Sequence, residues 1–180
     1  MKKIIIAIDS FKGCLTSAEA GKAAEKGIKS INPFCHTSVI PIADGGEGLL
    51  DVLITATKGK YITLSAHGPL MKMAKTHYGL SGNGRTAIIE MAAISGLPLV
   101  PIEQRNPMLT TTFGTGELIK DALNKGCRNF IIGIGGSATN DAGLGMLQAL
   151  GFRFLDKSGH TLGTGGQIME AVANIDTSGI

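Results

Sequence analysis

Short apolar runs recur along the chain, each followed by a polar, glycine-bearing loop and then by helical periodicity. Residues 3–8 are the first such run, β-branched and continuous, as expected of a strand buried on both faces. After a loop over 9–15, Thr16 and Glu19 have the spacing of a capping box. They predict a helix with small and apolar residues at 20, 24, 27, 28 and 31, ended by Asn32-Pro33. Residues 37–42 form the next predicted strand. Asp44 and Glu47 then offer a second possible cap before a helix with Leu49, Leu50, Leu53 and Ile54 on one side. The runs 61–66 and 75–80 carry polar interruptions and predict an antiparallel pair. Residues 86–90 resume a buried strand, and Pro98, Pro101 and Pro107 break the chain into a loop. A helix over 115–125 turns Leu118, Ile119, Ala122 and Leu123 inward and stops at Gly126. A strand over 130–134 leads to a helix over 141–150, started by Thr139 or Asn140 and closed by Gly151. Beyond it come a hairpin over 152–162, a short helix over 167–172, and no obvious terminating element over 176–180.

Repeated strand–helix units predict an α/β fold with a mostly parallel, Rossmann-like sheet and helices on both faces. Strands 3–8, 37–42, 86–90 and 130–134 are expected parallel in one sheet, with 61–66 and 75–80 outside it. Ligands of such sheets sit beyond the carboxyl ends of strands. The polar loops 9–16, 43–48 and 135–141 all fall there.

Composition narrows the ligand. Hydrophobic residues make up 43% of the chain, enough for a core, but aromatics only 4% and there is no Trp, so stacking on bases is not expected to dominate binding. Glycine is frequent, 26 in 180 residues, and sits at the ends of apolar runs, as a protein with many strand–helix turns requires. The net charge of +3 comes without a basic cluster beyond residues 1–3, which suits a small anion and argues against nucleic acid. Cys14, Cys35 and Cys127 are scattered and odd in number, so neither a disulfide framework nor a zinc site is indicated. A cytoplasmic setting fits reduced thiols. The run 4–8 stops at Asp9, too short for a signal-peptide core or a membrane span.

The most informative stretch is Phe130-Ile-Ile-Gly-Ile-Gly-Gly-Ser-Ala-Thr-Asn-Asp141. A strand, a glycine turn and a helix start present backbone N–H groups and a positive dipole end, which bind phosphate and carboxylate. An ordinary tight turn is the bland alternative, but it needs no such density of hydroxyl, amide and carboxyl groups. With Asp9-Ser-Phe-Lys-Gly13 and Ala43-Asp-Gly-Gly-Glu-Gly48, the three loops supply the inventory of phosphoryl transfer: a cation, N–H groups and carboxylates. The candidate catalytic residues are Asp9, Lys12, Asp44 and Asp141. Candidates for substrate and phosphate binding are Ser10, Gly45, Gly46, Glu47, Glu90, Thr112, Gly135, Gly136, Ser137, Thr139 and Asn140. No metal-ligand set is legible. Asp44 and Glu47 compete with a plain helix cap and Lys12 with a solvated loop lysine. A carboxylate at Glu90, ending a buried strand, is unusual unless paired.

These loops, with Ile89-Glu-Met-Ala-Ala-Ile-Ser-Gly-Leu97 and Thr111-Thr-Phe-Gly-Thr-Gly-Glu-Leu118, resemble the glycerate kinase family over nearly the whole chain. The resemblance implies two α/β domains with a discontinuous chain path. It also implies ATP-dependent phosphorylation of D-glycerate, with Mg²⁺ as the ion; from charge and run length, neither a nucleic-acid nor a membrane partner is expected. Family chains continue well past this point, so the sequence resembles about their N-terminal half. Residues 1–60 and 84–180 are then expected in a Rossmann-like domain, and 61–83 in a second domain completed by the absent half. The half-length chain is expected to self-associate or to need that half. Cys14 stands where the family has a small hydroxyl residue. Two other functions compete: a non-catalytic anion- or nucleotide-binding half-protein, and a dinucleotide-dependent oxidoreductase. Against the latter, no Gly-x-Gly-x-x-Gly follows the first strand.

Overall fold

The computed structural model describes residues 3–180. The first strand, β1 (Lys3–Ile6), leads through the loop into α1 (Ser17–Ile31). Thr16 and Glu19 form the expected capping box, the Glu19 amide donating to Thr16 Oγ1 at 3.2 Å and the Thr16 amide to Glu19 Oε2 at 2.8 Å. Next come β2 (His36–Val39) and α2 (Leu49–Thr57), then the hairpin strands β3 (Lys60–His67) and β4 (Met73–Leu80), and β5 (Thr86–Glu90). A single-turn α3 (Ala92–Ser95), α4 (Phe113–Asn124), β6 (Asn129–Gly133) and α5 (Leu144–Ala149) follow. The chain closes with β7 (Arg153–Leu155), a 3₁₀ turn over Gly166–Ala171, and β8 (Asn174–Asp176).

The fold is mixed α/β, and the strands pair differently from the sequence expectation. Only β1 and β2 pair in a first, parallel sheet. A separate four-stranded sheet runs β3-β4-β5-β6, antiparallel except for the parallel pair β5–β6. The 61–80 hairpin is therefore hydrogen-bonded into the sheet that holds 86–90 and 130–134. The reason is burial. Alternate residues of the hairpin, Ile62, Leu64, Ala66, Ala74, Tyr78 and Leu80, share one face and need a cover. Leu118, Ile119 and Ala122 of α4 supply it, together with Ala87 and Ile89 of β5. The opposite face is covered by Leu50 and Ile54 of α2 against Ile88.

Residues 3–8 were expected to be buried on both faces, but of β1 only Ile6 is buried, and Ile5 is 60% exposed. In and beyond β6, Ile131, Ile132 and Ile134 are exposed as well. Such apolar strands, open to solvent, are a surface that another element would bury. Near the C-terminus, β7 takes β8 as its partner, and the turn expected over 152–162 is closed by an antiparallel bridge between Leu155 and Thr161, with the Leu162 amide donating to Phe154 O at 2.8 Å and the Asp156 amide to His160 O at 3.0 Å.

Candidate functional site

The loops after β1 and β2 face each other across a cleft of about 480 Å³. One buried hydroxyl holds them together. Ser17 Oγ donates to Ile8 O at 2.7 Å and accepts from the Ile42 amide at 2.9 Å. Sequence reading passed over Ser17, because a serine next to a capping threonine gives no signal of a long-range bond. Ser10, Glu47, Gly48, Asp51 and Glu90 line the cleft. Asp9, Lys12 and Asp44 belong to the same loops but do not line it. Lys12 is exposed, Asp9 Oδ1 accepts from the Ser10 amide at 2.7 Å, and Asp44 Oδ1 accepts from the Gly46 amide at 3.1 Å.

Asp44 and Glu47 do not cap α2, whose N-cap is Gly48 without a side-chain bond of its own. The cap comes from the sheet. Glu90, at the end of β5, accepts from the Gly48 amide at 3.2 Å and the Leu50 amide at 3.3 Å. This satisfies orphan donors and places a negative charge at the positive end of the helix dipole. Burial nonetheless raises the Glu90 pKa above the ordinary glutamate value, the two amides oppose the rise, and the neighbouring charges of Asp51 and Glu47 add to it. Asp51 accepts the Tyr61 hydroxyl, a bond that pushes this phenol up to about 12.

The raised Glu90 pKa has a pH signature. The folded state holds the proton where the unfolded chain has lost it, so this group's contribution to stability falls as pH rises from the unfolded value through the folded one. Glu90→Gln, which keeps an acceptor for both amides, is expected to remove that component. Urea midpoints across pH 4–7 should then rise more steeply with pH in the variant than in the parent. Parallel profiles would show that the Glu90 proton is not linked to folding.

The third loop is built differently from its sequence reading. Gly135 lies against the second loop, its amide donating to Gly45 O at 3.1 Å, and a Cβ there would collide with Gly46 Cα. The Ala138 amide donates to Ser95 O at 2.9 Å, and Thr139 N donates to Ser137 Oγ at 3.0 Å. α5 begins at Leu144, and neither Thr139 nor Asn140 caps it. Asp141 does so from within the core. It is 1% exposed, and its carboxylate accepts from the amides of Gly143 at 3.1 Å and Gly145 at 3.2 Å. It also accepts from the Thr112 amide at 2.8 Å and from the hydroxyls of Thr111 and Thr112. The α5 start from which an external anion was expected to draw N–H groups thus already holds the Asp141 carboxylate, as the α2 start holds that of Glu90. Thr112 is turned inward as well, accepting the Met146 amide at 2.9 Å.

The chain thus divides its candidates. Ser10, Glu47 and Glu90 meet at the first cleft. Ser137 and Thr139 border a second cavity with Arg105, a residue the sequence did not single out. Among the described residues, no three His, Cys, Asp or Glu side chains converge to hold a metal ion. Mg²⁺ in phosphotransferases is held by one or two carboxylates and the substrate phosphates, which needs no such cluster. Among the described residues no helix is long and apolar enough to cross a membrane.

Residues 4–180 match the model of the glycerate kinase family. A glycerate kinase of Bacillus subtilis is 54% identical over 178 residues, which are 99% of this chain and 47% of that protein. A glycerate 2-kinase of Escherichia coli is 49% identical, again over 99% of this chain and 47% of its own length. The crystal structure of a Salmonella typhimurium LT2 protein described as a glycerate kinase 2 superposes with a TM-score of 0.85 at 49% identity, covering 99% of this chain and 48% of that one. The chain spans about half the length of the relatives it matches, and over that span its fold superposes on that of the Salmonella protein. It belongs to the glycerate kinase family.

Proposed function

We propose that this chain carries the N-terminal part of a site that transfers the γ-phosphoryl group of ATP to a hydroxyl of D-glycerate. The observation that carries the reading is the match to the family over residues 4–180, with the 9–16 and 43–48 loops gathered around one cleft. In the reaction a glycerate hydroxyl oxygen bonds to the γ-phosphorus, the bond from that phosphorus to the ADP oxygen breaks, and the hydroxyl proton leaves. The name of the Escherichia coli relative favours the 2-hydroxyl as acceptor. Ser10 and Glu47 would contact glycerate in the cleft. Asp9, Lys12 and Asp44, at its margin, would meet the phosphates and the departing proton. Asp141 and Thr112 act at a distance by fixing the third loop. Catalysis of this kind rests on positioning and electrostatics, and the rigidly tied loops suit it.

On this reading β1 and β2 would join a mostly parallel, Rossmann-like sheet, and the exposed isoleucines of β1 and β6 support further strands beside them. Residues 1–60 and 84–180 would form that domain and 61–83 part of a second. The junction between β4 and β5, only the pairs Gly79–Ile88 and Leu80–Ala87, supports the division. A cytoplasmic setting is supported by free thiols at Cys14 and Cys127. Thermal shift separates the competing functions. D-glycerate and ATP–Mg²⁺ are expected to raise the melting temperature and NAD to leave it unchanged. A shift with NAD alone would overturn the assignment.

A further inference from the structure

The second cavity has a composition unlike the first. It encloses about 240 Å³, and among the described residues Arg105 is the only charged one that lines it. Leu97, Val100 and Pro107 supply apolar walls, and Ser137 and Thr139 bring hydroxyls to the same space. By contrast, the first cleft is lined by Glu19, Glu47, Asp51 and Glu90 and, among the described residues, by no lysine or arginine.

The polar groups are held in place and under-used. Arg105 Nε donates to Val100 O at 3.3 Å, which fixes the plane of the guanidinium. Among the described residues its terminal nitrogens meet no acceptor and it joins no ion pair. Ser137 Oγ and Thr139 Oγ1 lie 2.8 Å apart and share one hydrogen bond, while the Thr139 amide donates to Ser137 Oγ. Two hydroxyls carry two protons, so one remains for an outside acceptor. The walls are tied on both sides. Thr110 Oγ1 donates to Ala138 O at 2.7 Å, the Leu97 amide to Gly136 O at 2.9 Å, and the Ala138 amide to Ser95 O at 2.9 Å. The cavity is therefore formed before any ligand arrives.

We infer that Arg105, with the hydroxyls of Ser137 and Thr139, is an oxyanion-binding subsite for one carboxylate or phosphoryl group of a small molecule. A planar guanidinium with two free nitrogens matches two oxygens of such a group at once, which a lysine does not. The volume admits an anionic head group but is small for a whole nucleotide, since sites for drug-sized ligands run to roughly 300–1,000 Å³. The oxyanion chemistry stands on the cavity alone; its use for the carboxylate of glycerate or for a transferred phosphate rests on the phosphotransferase reading above.

The test is isothermal titration of the 180-residue chain with inorganic phosphate and, separately, with D-glycerate. At least one is expected to bind saturably, and the tighter of the two identifies the natural oxyanion. Arg105→Ala is expected to weaken binding at least tenfold and Arg105→Lys several-fold. Lys120→Ala, an exposed change of equal charge on α4, should leave binding unaltered. Circular dichroism melts should stay at the parent value, because Arg105 is exposed. Equal binding by the parent and Arg105→Ala would overturn the inference, as would no saturable binding of either anion below about 50 mM. The two readings fail separately. Anion binding lost with Arg105 but no phosphoryl transfer to glycerate by the chain combined with the second half of the Bacillus subtilis relative would remove the kinase reading and leave the subsite. Phosphoryl transfer with Arg105→Ala binding both anions normally would do the reverse.

Discussion

Asp141→Ala is expected to lower the unfolding free energy by about 3–5 kcal/mol. The carboxylate is 1% exposed and serves five donors: the amides of Thr112, Gly143 and Gly145, and the hydroxyls of Thr111 and Thr112. Alanine would leave these donors without an acceptor where water does not reach, and each unsatisfied group costs about 1–3 kcal/mol before relaxation. Asp141→Asn keeps one acceptor oxygen and should lose less. Urea denaturation followed by far-ultraviolet circular dichroism measures both. A midpoint in Asp141→Ala equal to the parent's would mean that the carboxylate is not the tie between the start of α4 and the start of α5. The same result would restore Asp141 as a group available to ligand.

Gly114→Ala is expected to cost about 3 kcal/mol by overpacking. A Cβ at this position would meet Ile94 Cγ1 at 2.7 Å and the His67 carbonyl carbon at 3.0 Å, with the carbonyl oxygen closer still. Backbone cannot swing aside as a side chain can, so the first turn of α4 would have to leave the end of β3. That movement would strain the bond of the His67 amide to Glu117 Oε2 at 2.6 Å and the edge contact between His67 and Phe113. Gly27→Ala makes the same chemical change in the middle of α1, where an added Cβ meets nothing within 4 Å. There it should stabilise by about 0.5–1 kcal/mol, since glycine is a poor helix former. Opposite signs at the two positions in one denaturation series would establish that close approach decides the outcome.

Local chemistry was legible in the sequence, and pairing over distance was not. The Thr16–Glu19 box, the strand over Thr86–Glu90 and the inward residues Leu118, Ile119 and Ala122 each follow from spacing within a few residues. The hairpin was recognised from its alternation, but nothing in its own residues says that Gly79 and Leu80 pair with Ile88 and Ala87. The caps of α2 and α5 were misassigned for a similar reason. Asx and Ser/Thr residues beside a helix are visible, whereas Glu90 reaches α2 from a strand some forty positions away. The family motifs point to the three loops but not to Arg105, which sits in a proline-broken segment with no periodicity. Its proposed role depends on the Thr110–Ala138 bond that brings the two segments together.

The central claim is that this chain contributes to transfer of phosphate from ATP to glycerate. Phosphorus NMR tests it most directly, with the chain mixed with the second half of the Bacillus subtilis relative in the presence of D-glycerate and ATP–Mg²⁺. A phosphoglycerate resonance, growing as ADP accumulates and absent when either chain is omitted, is the expected result. ADP formed without any phosphoglycerate, or no turnover from a mixture in which the two chains co-sediment, would contradict the account.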